Sequence, residues 1–291
     1  MINYLILLRI KHWVKNIFIF IPLFFSSQIY NIDKVFLTTI TFLGFSFITS
    51  FVYVFNDIID AEFDRMHYEK KNRPIASGKI SVLNGLIISF LFLAIGVAIL
   101  FFYTSFNVLI ISMVYLGLNI MYSLKLKNIS ILDFIVVSSG FVLRVFIGGE
   151  VNNIELSNLI VVMVFLLSVF IAVSKRRDDV VQFEKHKRLN RTVVKEYSVE
   201  YMDKIITIIS SVLLISYLMF IMSDPITDKY DFKSLFFTFC LVLIGVLRYN
   251  QIVFVQNKGS SPIKILFKDY FIISVLILWL LTFIYILYFA L

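Results

Sequence analysis

The sequence predicts an all-α fold, a polytopic membrane bundle of nine transmembrane helices. Hydrophobic residues make up 60% of the 291 and charged residues only 16%, with a mean hydropathy of +0.92. No ordinary soluble domain has that balance. Apolar stretches of about the length that crosses a bilayer recur nine times, near 13–31, 35–56, 80–103, 106–123, 130–148, 157–174, 204–223, 233–250 and 265–290. The charges collect in the loops between them.

In order, the chain opens on a short apolar run, residues 4–8, followed by Arg9, Lys11 and Lys15. That run is too short for the core of a cleavable signal, so the segment is expected to stay with the protein. The first span begins at Trp13 beside Lys11 and Lys15, residue types that suit the headgroup level. The second span ends in the polar block 56–78. The junction at 103–107 is tight enough to force antiparallel neighbours, and the fifth span contains Arg144. The sixth span leads into a basic loop of roughly thirty residues. Cys240 is the only cysteine, which excludes disulfides and thiolate metal sites within one chain. No soluble domain interrupts the pattern, so 1–291 reads as a single membrane domain.

Lysine and arginine sort by side. The N-terminus has three (Arg9, Lys11, Lys15), and five follow the second span (Arg65, Lys70, Lys71, Arg73, Lys79). Two follow the fourth (Lys125, Lys127), nine lie in 175–204, and four flank the last loop (Arg248, Lys258, Lys264, Lys268). The opposite side holds only Lys34, Lys229 and Lys233. By the positive-inside rule the N-terminus and the polar block face the cytoplasm, and an odd span count puts the C-terminus outside. The net charge of +8 therefore belongs to membrane topology, and no nucleic-acid partner is expected.

The block 56–78 reads NDIIDAEFDRMHYEKKNRPIASG. Asp57, Asp60 and Asp64 share one face of a helix at i, i+3, i+7. On a continuous helix Asp57 and Asp64 stand roughly 10 Å apart along the axis, too far to chelate one ion together but suited to bracketing a diphosphate through Mg²⁺. Arg65, His67, Lys70, Lys71 and Arg73 follow at once and are placed to neutralise phosphate oxygens. A solvated helix end would give similar alternation, but ionisable groups at a membrane boundary are costly and usually functional. Three more polar clusters share this face: Arg9, His12, Trp13, Lys15 and Asn16; Tyr122, Ser123, Lys125 and Lys127 with Asp133; and Ser174, Lys175, Arg176, Arg177, Asp178 and Asp179. Arg144, eleven residues after Asp133, is expected to face the bundle interior or to snorkel outward, and an ion pair and a substrate contact are both open to it.

These residues resemble the UbiA superfamily of intramembrane prenyltransferases, which have nine transmembrane helices. NDIIDAEFD matches its NDxxDxxxD motif, with Asn56, Asp57, Asp60 and Asp64 at the defining positions. The fuller pattern is similar to the decaprenyl-phosphate phosphoribosyltransferase branch: RIKHWVKN at Arg9–Asn16, the whole block 56–78, YSLKLK at 122–127, the stretch 137–149 around Arg144, and KRRDDV at 175–180. Ile10 stands where that branch usually has proline. The second aspartate-rich motif of diphosphate-ionising aromatic prenyltransferases is replaced by two adjacent aspartates in a basic field.

The resemblance implies a Mg²⁺-dependent transferase of the bacterial inner membrane, with its active site facing the cytoplasm and serving cell-envelope polysaccharide synthesis. It implies 5-phosphoribosyl diphosphate as donor and polyprenyl phosphate as acceptor. Asp57, Asp60 and Asp64 would hold the metal and Asn56 would orient them. Arg9, Lys15, Asn16, Arg65, His67, Lys70, Arg73, Tyr122, Lys127, Arg144, Lys175, Arg176 and Arg177 would contact substrate, and the prenyl tail would lie among some of the 32 phenylalanines. Transfer of a prenyl group to a small acceptor shares the Asp–Mg²⁺ site. A transporter or lipid-binding scaffold is the reading from another class, and it predicts midplane polar residues and an internal repeat.

The charge split has a direct check. Ser77→Cys in a Cys240→Ser background reacts with impermeant maleimide only after cells are opened, whereas Leu291→Cys in that background reacts in intact cells. The reverse pattern overturns the orientation.

Overall fold

In hydrocarbon a backbone must satisfy its own hydrogen bonds, so each apolar stretch has little option but to coil. A computed structural model describes residues 2–66, 70–186, 192–227, 230–257, 265 and 268–288. Among these every regular element is helical, and eight helices are long and apolar enough to cross a membrane. The chain divides into two compact units, 1–156 and 157–291.

The first unit contains α1 (Ile2–Leu7), a 3₁₀ segment (Ile10–Phe20), α2 (Ile21–Phe25), α3 (Ile32–Ile59), α4 (Ala61–Met66), α5 (Val82–Tyr103), α6 (Phe106–Leu124) and α7 (Leu132–Val151). Three of its four long helices start at side-chain caps that accept the third backbone N–H: Asn31 from Lys34, Ser81 from Asn84, Ser105 from Val108. Only Thr104 and Ser105 separate α5 from α6, the tight junction expected. The central α3 packs against α5, α6, α7 and the 3₁₀ segment. It crosses α5 at a glycine pair, where a Cβ on Gly96 would stand 2.6 Å from the Gly44 carbonyl oxygen. Phe45, Ile48, Phe51 and Val52 of α3 meet Ile19, Leu100, Val108, Tyr115 and Ile147 in the core.

The first predicted span, 13–31, is not one long helix. Arg9 adopts left-handed angles (φ 51°, ψ 44°) that separate α1 from the 3₁₀ segment, and Pro22 opens α2. At about 2.0 Å per residue in the 3₁₀ segment and 1.5 Å in α2, the two run about 22 and 7.5 Å along their axes. Together that matches the hydrocarbon thickness in fewer residues. Residues three apart eclipse in such a helix, so Trp13, Asn16 and Ile19 fall in one inward row. Trp13 Nε1 donates to Ser50 Oγ (3.0 Å), Asn16 is buried, and a Cβ on Gly148 of α7 would stand 1.9 Å from the Ile19 carbonyl oxygen.

The second unit contains α8 (Asn158–His186), a short 3₁₀ turn (Thr192–Glu196), α9 (Val199–Ile221), α10 (Asp224–Thr227), α11 (Phe232–Phe254) and α12 (Tyr270–Tyr288). Helix α9 packs on α8 and α11, and α11 packs on α12. Inside the unit Tyr217 Oη donates to Thr238 Oγ1 (2.8 Å) and accepts from Trp279 Nε1 (2.8 Å), tying α9, α11 and α12. The stretch 174–186, expected to begin a loop, continues α8 for three more turns. Arg176 pairs with Asp179 at i, i+3 (2.5 Å), and Val180 and Val181 bury, so the basic run is helical and anchored.

The close approach at Gly148 predicts a contrast. Gly148→Ala pushes a methyl into the Ile19 carbonyl and costs about 1–3 kcal/mol, while Gly117→Ala, with open space around it, is neutral or stabilising. Thermal midpoints of the two variants in detergent measure this, and equal midpoints refute it.

Candidate active site

The site is built at the C-terminal end of α3. That helix ends at Ile59, and Asp60 (φ −86°, ψ −1°) turns the chain into α4. The backbone bonds Asp60 N to Asn56 O (2.9 Å) and Asp64 N to Asp60 O (2.8 Å) carry the ladder across the bend. The side chains reach toward each other across the axial spacing expected of the two residues. Asp57 Oδ1 and Asp64 Oδ2 both accept from Nη1 of Arg73, at 3.0 and 2.5 Å, so the two oxygens lie within about 5.5 Å of each other. Asp57 is 2% exposed and Asp64 1%.

Each carboxylate has a cation from elsewhere in the unit. Arg9, on its left-handed turn, donates through Nη2 to Asp57 Oδ1, with its guanidinium carbon 5.1 Å from the centroid of the Tyr53 ring. Lys127 donates to Asp60 Oδ1. Asp60 Oδ2 accepts from Asn56 Nδ2 (3.0 Å), and Asn56 Oδ1 accepts from Ser123 Oγ (3.2 Å). Asn56 therefore orients Asp60 and links it to α6. The expected face of three carboxylates is a convergent pair, Asp57 and Asp64, with Asp60 turned toward Lys127.

Arg73 reaches the pair because the stretch after it is pinned. Ile75 is 2% exposed and meets the backbone of Gly85 on α5, Ser77 N donates to Arg73 O (2.8 Å), and Gly78 takes φ 73°. Arg65 Nε donates to Ala76 O (3.3 Å), which makes it a brace for this loop. Lys70 opens the short 3₁₀ turn before Arg73, and His67 lies outside the described residues.

Deeper in the unit, Asn16 and Arg144 join. Arg144 donates through Nε to Asn16 Oδ1 (2.8 Å), through Nη1 to Gly140 O (2.6 Å) and through Nη2 to Tyr115 Oη (3.2 Å). It also faces the rings of Phe45, Tyr115 and Phe141. Asn16 Nδ2 in turn donates to Ser46 Oγ (2.8 Å) and Thr49 Oγ1 (3.3 Å) of α3. None of the described partners of Arg144 is a carboxylate, so the expected ion pair is replaced by neutral acceptors and aromatic faces. Lys15 is half-buried next to this node, within electrostatic reach of Arg144 and Arg9. Among the described residues it forms no hydrogen bond or ion pair. Tyr122 is buried near the end of α6.

In the second unit Lys175 is exposed, and Arg176 and Arg177 are buried. Arg177 Nε donates to Asp203 Oδ1 (2.5 Å), and Nη1 donates to Val253 O and Asn257 Oδ1 (2.9 Å each). Ser123 as a partner of Asn56 and Tyr53 under Arg9 are contacts that motif reading did not single out. Tyr53 had a signal: it precedes Asp57 by four residues, one turn back on the same face of α3.

Among the described residues no group of three or more His, Cys, Asp or Glu side chains is arranged to hold a metal by itself. A convergent pair of hard carboxylates still fits Mg²⁺, which commonly takes one or two protein carboxylates and completes its shell with water and substrate phosphate.

A model of the UbiA prenyltransferase family matches residues 17–275, through both units. The chain belongs to that family. The decaprenyl-phosphate phosphoribosyltransferase of Corynebacterium glutamicum is 31% identical over 271 residues, 90% of this chain and 80% of that protein. An uncharacterised protein of Sinorhizobium fredii is 37% identical over 171 residues, 58% of this chain but only 33% of that longer protein. In fold the chain is similar to a UbiA homolog from Archaeoglobus fulgidus solved with DMAPP and Mg²⁺, with a TM-score of 0.72, 19% identity and 97% of each chain covered. It is thus a UbiA-family transferase and an integral membrane protein.

The Arg144 node yields a test of its structural role. Arg144→Lys cannot reach Asn16, Gly140 and Tyr115 together, and it is expected to cost about 1–3 kcal/mol by leaving buried acceptors unpaired. The thermal midpoint in detergent should fall by several degrees, and an unchanged midpoint would sink this role.

Proposed function

We propose that this UbiA-family transferase moves 5-phosphoribose from 5-phosphoribosyl diphosphate to a polyprenyl phosphate and releases diphosphate. The observation that carries the reading is the convergent Asp57–Asp64 pair surrounded by Arg9, Arg73 and Lys127, a site suited to a diphosphate with a divalent cation. The donor and acceptor follow from the phosphoribosyltransferase-like blocks along the chain and from the name of the Corynebacterium relative.

Mg²⁺, when bound, supplies divalent charge against the leaving diphosphate. Asp57 and Asp64 would hold it, with Asp60 kept in place by Asn56 and Lys127. Arg9 and Arg73 would neutralise diphosphate oxygens at the moment charge develops on them. The new bond joins ribose C1 to an oxygen of the lipid phosphate, and the bond from C1 to the diphosphate breaks. That nucleophile is already anionic, so no side chain is needed as general base. Lys15 is a candidate to meet a phosphate oxygen, and Lys175 and Arg176 are the candidates in the second unit. Arg177, already tied to Asp203, Val253 and Asn257, would act by holding its helix in place. Both units would serve one transferase domain, with the active site facing the cytoplasm across a bacterial inner membrane.

Prenyl transfer to a small acceptor is the second reading, because the Archaeoglobus homolog was solved with a prenyl diphosphate. Asp178 and Asp179 count against it. Adjacent helical residues point about 100° apart, so they do not form a second convergent pair.

Membranes containing the protein should incorporate label from phosphoribosyl diphosphate, but not from prenyl diphosphate, in a reaction abolished by EDTA and restored by Mg²⁺. Asp57→Asn or Asp64→Asn should lower turnover by about two to three orders of magnitude in protein that still purifies normally. Full activity in EDTA removes the metal site, and use of prenyl diphosphate alone removes the phosphoribosyl assignment.

A further inference from the structure

We propose that Arg73 is the resident counter-ion of the Asp57–Asp64 pair, and that a divalent cation gains the pair only as the guanidinium passes to the diphosphate. Metal and diphosphate would then load together. This rests on the metal part of the proposed function and is independent of which group is transferred.

Arg73 differs from its neighbours in how it engages the acids. Arg9 touches only Asp57 and Lys127 only Asp60, but one nitrogen of Arg73 accounts for both members of the convergent pair. A divalent cation on either carboxylate would lie beside that guanidinium, and like charges so close in a largely buried site strongly disfavour each other. Exchange therefore needs somewhere for the guanidinium to go. Diphosphate offers it acceptors matched to the planar fork. The route is side-chain motion alone. The Arg73 side chain is 25% exposed, whereas Ile75 two residues on is locked in the core and Arg65 holds the Ala76 carbonyl.

The test uses the full-length protein in nanodiscs. Mn²⁺ titrations followed by EPR read metal affinity, and thermal midpoints are recorded with Mg²⁺, with inorganic diphosphate and with both. The wild type should bind Mn²⁺ alone weakly, and its midpoint should rise only with both ligands. Arg73→Met should bind Mn²⁺ alone about tenfold to a hundredfold more tightly, the range that one charge-assisted bond spans. Lys79→Met removes one exposed positive charge of the same loop without touching the pair and should stay within about threefold of the wild type, since a general field effect is smaller than release of a direct contact.

A wild-type midpoint that rises fully with Mg²⁺ alone overturns the proposal, as does equal tightening in the two variants. If Arg73→Met does not fold, Arg73→Lys replaces it. Its single ammonium is a weaker bridge, so Mn²⁺ should bind more tightly than to the wild type, and wild-type affinity would be the overturning result. No response of the wild type to the two ligands together removes both this inference and the metal site beneath it. Prenyl transfer in place of phosphoribosyl transfer removes the proposed donor and leaves the inference standing.

Discussion

A carboxylate sealed from water in a membrane protein must be neutralised where it stands. Asp57 and Asp64 are sealed almost completely, and much of the first unit is arranged to supply their cations. Arg9 comes from the N-terminal turn, Arg73 from the loop after α4, and Lys127 serves the adjacent Asp60 from the turn after α6. Removing one partner of a buried ion pair typically costs about 3–5 kcal/mol, because the other charge stays behind. The left-handed turn at Arg9 and the buried Ile75 behind Arg73 are therefore part of the electrostatics of the site.

The N-terminal segment could not deliver Arg9 without a grip of its own. Three hydroxyls on α3 provide it: Ser46 and Thr49 hold Asn16, and Ser50 accepts from Trp13 and donates to the Leu8 carbonyl. From the other side Arg144 donates to the Asn16 side-chain oxygen Oδ1. Hydroxyls are short, so they let the segment lie close, and Gly148 on α7 removes the last obstruction. An arginine this deep in a span is costly unless every donor finds an acceptor, and here neutral oxygens and aromatic faces take that role.

Much of this was legible in the sequence. Hydropathy located all eight long helices, because a span must be continuous and apolar to cross hydrocarbon. The motif block located the acids and Arg73, and the clusters at 9–16 and 122–127 carried Arg9 and Lys127, because charges at a membrane boundary are seldom idle. What escaped depended on non-local geometry. One nitrogen of Arg73 joins Asp57 and Asp64 from sixteen and nine residues away, and the i, i+3, i+7 spacing carries no trace of it. Arg144 was recognised as costly, but its neutral partners come from residues scattered over four stretches. The run after Ser174 reads as a loop by charge alone. It stays helical because Arg176 finds Asp179 one turn on and Val180 and Val181 are buried.

The 3₁₀ segment also behaves as a three-lane ribbon. With three residues per turn, Trp13, Asn16 and Ile19 form the lane against the helices, and His12, Lys15 and Phe18 form a half-buried lane. Lys11, Val14 and Ile17 form the exposed lane. Deleting one residue between Trp13 and Ile19 would rotate everything beyond it by about 120° and exchange all three lanes at once. Asn16 would leave Arg144, or Lys15 would turn into lipid. Removing a full triplet would shorten the ribbon by about 6 Å and keep each lane's facing. Only length changes in steps of three therefore preserve the facing of the lanes, a signature that an ordinary transmembrane α-helix does not carry.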